Sequence, residues 1–211
     1  MASEDALARR AGSWRFDPVQ AGNTNCLGGL GTHIENAVAT MTGLKIKRVL
    51  AKMDVLTPGQ VLDDTDFVLL EYESGATGMY WSSQVAIGHD NSLRVRIYGD
   101  KGSVLWFQEE PEKITVIRQN CARLAEHHRG YSAIAPAAAK YGRLPSGHPE
   151  GWLEAMANLY RSFMECILAK RAGPFTSEMI DFPSVIDGVE GVKFVEACLK
   201  SSANGSVWTD L

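Results

Sequence analysis

The chain has 211 residues, of which 45% are hydrophobic and 22% are charged; this composition excludes a disordered chain and suffices for one large hydrophobic core or two small ones. Its formal net charge is -4, and its lysines and arginines are scattered along the sequence. Binding to a phosphate backbone requires a concentrated basic surface. The sequence therefore predicts no nucleic-acid partner.

Cysteine spacing and the lack of long apolar runs indicate a cytoplasmic protein. The four cysteines are far apart and form no CxxC motif or Cys/His cluster, so neither a zinc site nor a disulfide framework is predicted. No apolar run approaches the roughly 18 residues that span a bilayer. The first residues, MASEDALARRAGSW, lack the apolar segment of a secretory signal. We expect a chain that is neither exported nor bound to a membrane.

The stretch GGLGTHIENAVATMTGL, from Gly28 to Leu44, predicts a glycine-rich loop followed by a short amphipathic helix. Thr32 and Glu35 have the spacing of a capping box, in which each side chain binds a free backbone N–H at the helix N-terminus. Gly43 is a typical helix stop. One face of this helix is predicted to pack on a core through Ile34, Ala37, Val38 and Met41, and His33 lies beside that face.

Six strand-length runs rich in branched and aromatic residues follow the helix: Lys45–Asp54, Asp66–Glu73, Thr77–Ala86, Leu93–Tyr98, Ser103–Gln108 and Lys113–Arg118. In the second run, apolar side chains occupy both faces, with Phe67 and Leu69 on one and Val68, Leu70 and Tyr72 on the other. The second face needs a cover, which is either another subunit or loops of the same subunit. We predict a homo-oligomer that forms through this sheet face.

Two amphipathic segments, Glu150–Arg171 and Ser184–Ser201, predict helices at the end of the chain whose apolar stripes face a core. Ser184 and Asp187 resemble a capping box. The segment that precedes them, residues 127–151, is long and has no regular hydrophobic period, which is typical of a lid, a binding loop or a disordered region. A helix, six strands and two helices together predict an α+β fold with one open, mainly antiparallel sheet of about six strands and helices packed on one face.

Several catalytic motifs are missing from the sequence. No GxGxxG motif follows a strand and opens a helix, and there is no P-loop, no GxSxG elbow and no histidine pair with the spacing of a zinc hydrolase. His127 and His128 are adjacent, so their side chains point apart and are predicted to be surface residues. His33, at the first turn of its predicted helix, meets the positive end of the dipole, which favours the neutral imidazole that a general base needs. The alternative that His33 only packs at the helix start stays open.

Four separated segments resemble the C-terminal domain of the Gfo/Idh/MocA oxidoreductase family, which includes glucose-fructose oxidoreductase and inositol dehydrogenase. They occur in the family's order: WRFDPVQAGNTNCLGGLGTHIENAVATMTGL, SSQVAIGHDNSLRVRIYGDKGSVLWFQEEPEKITV, LPSGHPEGWLEAMANLYRSF and DFPSVIDGVEGVKFVEACLKSSANGSVW. The resemblance implies that residues 13–211 are the substrate-binding and oligomerisation domain of such an enzyme. Residues 1–12 would be the remnant of an interdomain segment, and the nucleotide-binding domain is absent from the chain.

The resemblance also implies roles for individual residues. His33 matches the active-site histidine of the family motif G-D-x-G-[ST]-H, whereas Gly29 stands at the position of the aspartate. Trp14 and Arg15 match a W-R pair near the substrate pocket, and His148 is a further candidate for substrate contact. An arginine suits a hydroxylated or anionic substrate, although an ion pair with Asp17 or another acid is an equal alternative for Arg15.

The function implied by the resemblance is that of an NAD(P)-dependent dehydrogenase of a sugar, polyol or related hydroxy compound. NAD or NADP would bind to the absent nucleotide domain, so none is expected on this chain alone, which we expect to be inactive when isolated. Two alternatives stay open: a non-catalytic ligand-binding or assembly module, favoured by Gly29, and a family branch that uses NAD for glycoside cleavage.

Overall fold

The computed structural model of the protein describes residues 14–121, 125–131 and 134–211. It consists of two compact units, of which the first runs to His89 and resumes at Ser184–Leu211, and the second is Asp90–Pro183. The predicted interdomain remnant, residues 1–12, lies outside the described residues. No helix in the described part combines the length and the apolar character that crossing a lipid bilayer requires.

The described residues form eight strands: β1 Ile46–Asp54, β2 Thr65–Tyr72, β3 Thr77–Ser83, β4 Arg94–Gly99, β5 Gly102–Phe107, β6 Lys113–Arg118, β7 Ala125–His128 and β8 Thr209–Asp210. The first unit contains a sheet of order β3-β2-β1-β8, and the second contains one of order β4-β5-β6-β7. All pairs are antiparallel. The α+β class is therefore confirmed.

The prediction of a single sheet with about six strands was wrong. The predicted strand Thr77–Ala86 ends at Ser83, and β4 begins only at Arg94. Between them the backbone adopts positive φ at Gly88 (90°) and Ser92 (55°), which breaks the extended conformation. β3 and β4 therefore do not pair, and each lies at the edge of its own four-stranded sheet.

The helices are α1 Pro18–Ala21, α2 Thr32–Thr42, α3 Pro136–Ala139, α4 Trp152–Ala172 and α5 Val185–Ala203, with a π-helical turn at Leu27–Gly31 directly before α2 and short 3-10 turns at Trp14–Phe16 and Ser177–Met179. Gly43 ends α2 in the left-handed conformation, with φ 68°, as predicted. The predicted capping box of Ser184 and Asp187 is also present at the start of α5.

The core of the first unit lies between its sheet and α5. Along β2 the side chains alternate as predicted, with Val68, Leu70 and Tyr72 buried and Phe67 and Leu69 exposed. Phe194 of α5 is fully buried and meets the ring of Tyr80 edge to face, with ring centroids 5.9 Å apart. Complete burial of such a side chain contributes about 2–3 kcal/mol.

The predicted apolar stripes of the two long helices do not match their buried faces. In α5 the buried residues are mostly small, which lets its backbone approach the sheet: Gly191, Phe194, Ala197, Cys198 and Ser201. Val185, Val189 and Val192 of the predicted stripe are exposed instead. In α4 the buried residues are Asn158, Ser162 and Cys166, whereas the large apolar side chains of the predicted stripe are at least partly exposed.

Serine side chains of α5 serve as hydrogen-bond partners for the part of β1 that β8 does not reach. β8 pairs with β1 only at Arg48 and Val49. Farther along, the N–H of Ala51 donates to Ser201 Oγ at 2.9 Å, and the N–H of Met53 donates to Ser202 Oγ at 3.2 Å. These bonds satisfy strand groups that would otherwise be buried without an acceptor.

We predict that Ser201→Ala lowers the free energy of unfolding by about 1–3 kcal/mol, because it leaves the buried Ala51 N–H without an acceptor. The matched control is Ser202→Ala, which removes a longer bond at a half-buried position and should cost less than about 1 kcal/mol. Urea unfolding at neutral pH measures both values. Equal losses in the two variants would contradict the special role of Ser201.

Candidate functional site

The helical segment that carries His33 begins earlier than the sequence predicted. Leu27–Gly31 forms a π-helical turn that continues without interruption into α2 at Thr32. Thr32 Oγ1 donates to the carbonyl of Gly28 at 3.0 Å and forms no cap, so the predicted capping box with Glu35 was wrong. The dipole effect is confined to the first turn, which lies upstream of His33. The helix-end argument for a neutral imidazole therefore does not apply, although the side chain is exposed.

Asp63 holds the start of this segment. Its Oδ1 accepts the N–H of Asn25 at 2.8 Å, its Oδ2 accepts the N–H of Leu27 at 2.7 Å, and its carbonyl accepts the N–H of Cys26 at 3.2 Å. The first N–H groups of a helix have no partner within the helix. The buried carboxylate of Asp63, from the loop before β2, supplies the acceptor that the predicted capping box was expected to supply.

The two glycines of the π-helical turn have different environments. A Cβ at position 31 would lie 2.7 Å from Leu27 Cδ1, and Leu27 is only 1% exposed, so Gly31 is required by close packing. Gly29 is exposed, and a Cβ there would meet no atom within 4 Å. The position that carries an acid in the family motif is therefore open to a side chain.

The glycine-rich turn does not fit the pyrophosphate of a dinucleotide. It follows a loop and not a strand, and its N–H groups are already bonded: that of Leu27 to Asp63, that of Gly28 to Thr24 Oγ1 at 3.2 Å, and that of Gly29 to the carbonyl of Asn25 at 3.0 Å. A phosphate cradle needs such groups to be free.

The remaining predicted site residues are all exposed. Trp14 and Arg15 lie in one 3-10 turn of the first unit, with the guanidinium 5.0 Å from the indole centroid. Within the described residues Arg15 forms no ion pair with Asp17 or another acid, and no hydrogen bond, ion pair or ring contact joins Trp14 or Arg15 to His33. His148 belongs to the second unit.

Arg129 fixes the loop around His148. Its guanidinium donates to the carbonyls of Leu144 (2.7 Å) and His148, and it forms ion pairs with Glu112 (2.9 Å) and Glu150 (3.0 Å). The hydrogen bonds from Arg129 and from the N–H of Glu150, and then the charge of Arg129, lower the pKa of Glu112. The described part of this irregular segment is thus held in place by charge-assisted hydrogen bonds.

The sequence reasoning missed a buried acid cluster, formed by Cys26, Asp63 and Asp66. The thiol and one oxygen of each carboxylate lie within 4.8 Å of one another, and these atoms are of the types that bind metal ions. Burial, and next the charge of Asp63, raise the pKa of Asp66 to about 7. Burial also raises the pKa of the Cys26 thiol. The sequence feature that could have revealed this cluster is the run LDDTDF, residues 62–67. Its acids directly precede an apolar strand and have no basic residue nearby in sequence.

Comparison with known proteins identifies the family. The model of the oxidoreductase family's C-terminal alpha/beta domain (Gfo/Idh/MocA) matches residues 4–211. The chain belongs to this family. It is 33% identical to the uncharacterized oxidoreductase YfiI of Bacillus subtilis (strain 168) over 203 residues, which are 95% of the chain and 51% of that protein.

Two solved structures of an inositol dehydrogenase homologue from Azotobacter vinelandii have the same fold. The complex with NAD+ has a TM-score of 0.90 at 33% identity, and the complex with NADH and myo-inositol has a TM-score of 0.85 at 32% identity. Each comparison covers 96% of this chain and 52% of the other chain. The chain therefore spans about half the length of the relatives that it matches.

We predict opposite effects for two alanine substitutions in the π-helical turn. Gly31→Ala should lower the free energy of unfolding by about 1–3 kcal/mol, because the added methyl group overlaps Leu27 in a packed core. Gly29→Ala should be neutral or stabilising by up to about 1 kcal/mol, since alanine restricts the unfolded chain and meets no atom here. Thermal or urea unfolding measures both, and a loss at position 29 as large as that at position 31 would contradict the described packing.

Proposed function

We propose that this chain is the substrate-binding and oligomerisation domain of an NAD(P)-dependent dehydrogenase that acts on a sugar, a polyol or a related hydroxy compound. The observation that carries the proposal is the match to the family's C-terminal domain over residues 4–211. Further support comes from the relative of similar fold that was solved with NADH and myo-inositol. NAD or NADP would bind to a nucleotide-binding domain outside residues 1–211, and this chain alone would be inactive.

In this proposal His33 is the proton acceptor for the substrate hydroxyl. Its exposed imidazole lies near the start of α2 and more than one turn into the continuous helical segment, and an exposed side chain is free to reach a bound ligand. Trp14 and Arg15 would contact the substrate, with Arg15 donating to its oxygen atoms. His148, in the second unit, stays a separate prediction of substrate contact. Gly29 leaves the imidazole without the acid of the family motif, so a group outside this turn would have to orient it.

A second candidate function is a ligand-binding or assembly module that has lost the chemistry. Gly29 favours it, because a general base without an orienting acid is a poorer catalyst. The two candidates differ in whether His33 affects turnover.

We also propose a location in the reducing cytoplasm, because all four cysteines are free.

We further propose that the outer face of the first sheet binds a second copy of the chain. This outer face consists of cross-strand rows in which apolar residues of β2 and β3 lie side by side: Leu69 beside Met79 and Phe67 beside Trp81. These four side chains are 46–69% exposed. Contiguous apolar surface of this kind is typical of protein interfaces, and a two-fold axis would place the same patch of each copy in contact.

For the catalytic role we predict that His33→Ala lowers turnover by roughly 10² to 10⁴, the usual effect of removing a general base. The assay uses a protein in which this chain is joined to a nucleotide-binding domain, either its natural one or that of the Azotobacter vinelandii homologue, with myo-inositol and related polyols as substrates. Gly29→Ala is the matched control in the same segment. Unchanged turnover in His33→Ala would exclude His33 as the base and favour the module.

For the interface we predict a dimer or larger oligomer at micromolar concentration, and a monomer for Leu69→Glu, because the substitution places a charge in the centre of the outer face. Val61→Glu is the matched control, since Val61 is 69% exposed but precedes β2 in a loop. Analytical ultracentrifugation distinguishes the species. A monomeric parent chain, or the same oligomer in both variants, would refute the interface.

A further inference from the structure

The acid cluster places a carboxylate in the core of the first unit. Asp66 faces inward on β2, opposite Ser82 of β3, and is 0% exposed. Ser82 Oγ donates to Asp66 Oδ2 at 3.0 Å, but Asp66 Oδ1 has no hydrogen-bond partner in the part of the chain that the structure describes. A buried carboxylate oxygen without a partner is costly when it is charged.

Among the described residues, the groups around Asp66 add no positive charge. Asp63 comes from the preceding loop, Cys26 from the start of the π-helical turn, and Cys198 from α5, where Asp66 contributes to the raised pKa of that thiol. No ion pair within the described ranges involves Asp63 or Asp66. Two buried carboxylates at this separation and without a cation cannot both be ionised at low cost.

Asp63 and Asp66 differ in their hydrogen-bond partners. Asp63 accepts backbone N–H groups with both of its oxygens. Asp66 has one hydroxyl donor and, among the described residues, one unpartnered oxygen, where a proton can be carried. These contacts favour Asp66 as the residue that carries a proton.

We propose that Asp66 carries a proton in the folded protein below neutral pH, and that this proton keeps Asp63 in place as the anchor of the π-helical turn ahead of His33. When the proton leaves, the two carboxylates repel each other, and the bonds from Asp63 to Asn25 and Leu27 weaken. The pair is thus a pH-dependent lock on this segment. It does not depend on the chain being part of a dehydrogenase.

The direction of the pH effect follows from the raised pKa of Asp66. Between the ordinary value of 3.8 and about 7, the folded chain binds more protons at this site than the unfolded chain does. The stability contributed by this site is therefore present at low pH, is lost as the pH rises through about 7, and does not change further above that.

A metal ion is the competing occupant of the acid cluster. The contacts of Asp63 favour the proton, because both of its oxygens already accept N–H groups. Cys26 is also fully buried, and the neighbouring carboxylates help to raise the pKa of its thiol, which disfavours the thiolate that a metal needs. Metal content is therefore an outcome that the experiment must measure.

The test compares the complete chain with Asp66→Asn, which imitates a permanently protonated Asp66 in shape. Hydrogen exchange of the Leu27 amide, corrected for intrinsic rates, should accelerate at least about tenfold in the parent chain between pH 5.5 and 8. In Asp66→Asn this acceleration should disappear. The matched control is Asp64→Asn, at a neighbouring buried acid that instead accepts the N–H groups of Leu56 and Thr57; the acceleration should persist there.

Two further measurements on the parent chain decide the matter even if Asp66→Asn does not fold. Infrared spectroscopy at pH 6–7 should show the carbonyl stretch of a protonated buried carboxyl group, and mass spectrometry should find well below one equivalent of metal. Absence of that band, stoichiometric zinc, or equal acceleration in the parent chain and Asp66→Asn would each overturn the proposal. None of these readouts involves catalysis, so failure here is distinguishable from failure of the proposed function.

Discussion

The capture of two backbone N–H groups by the carboxylate of Asp63 fixes the segment on which the candidate site depends. The N–H groups belong to Asn25 and Leu27, which are 38 and 36 residues away in sequence. The N–H groups at a helix start need acceptors from outside the helix. Here the acceptor is the Asp63 carboxylate, in the loop that leads into β2. The bond therefore fastens the start of the π-helical turn to the sheet, and α2 continues from that fixed start toward α5, where Thr32 lies against Gly191.

The same arrangement explains why acids occupy an otherwise apolar core. Apolar residues in place of the acid cluster would pack well but could not accept the N–H groups of the π-helical turn. Asp63 solves that problem and creates another, because its charge acts on Asp66 at the start of β2. Burial is the main cause of the raised pKa of Asp66, and the charge that anchors the turn adds to it. The buried acids thus position the π-helical turn at a cost in the stability of the core, as is common at functional sites.

The parts of the fold that the sequence predicts depend on local chemistry. Gly43 and the capping box of Ser184 and Asp187 act over a few residues, so their spacing suffices to locate helix ends. The same rule failed at Thr32, because the competing acceptor, Asp63, is remote in sequence and preceding residues were already helical. The buried face of α5 was missed for a related reason. The prediction followed the spacing of large apolar side chains, whereas the face that contacts the sheet consists mostly of small residues.

His33 was predicted from its motif, and the geometry changes what its chemistry requires. Within the described residues the imidazole is exposed and has no hydrogen bond, so these residues do not fix the orientation of the ring. A base acts efficiently only when its partner is held in reach. Gly29 offers open space and no carboxylate. A catalytic His33 must therefore obtain its orientation from the substrate or from groups other than the described residues, whereas a ligand-binding His33 needs neither.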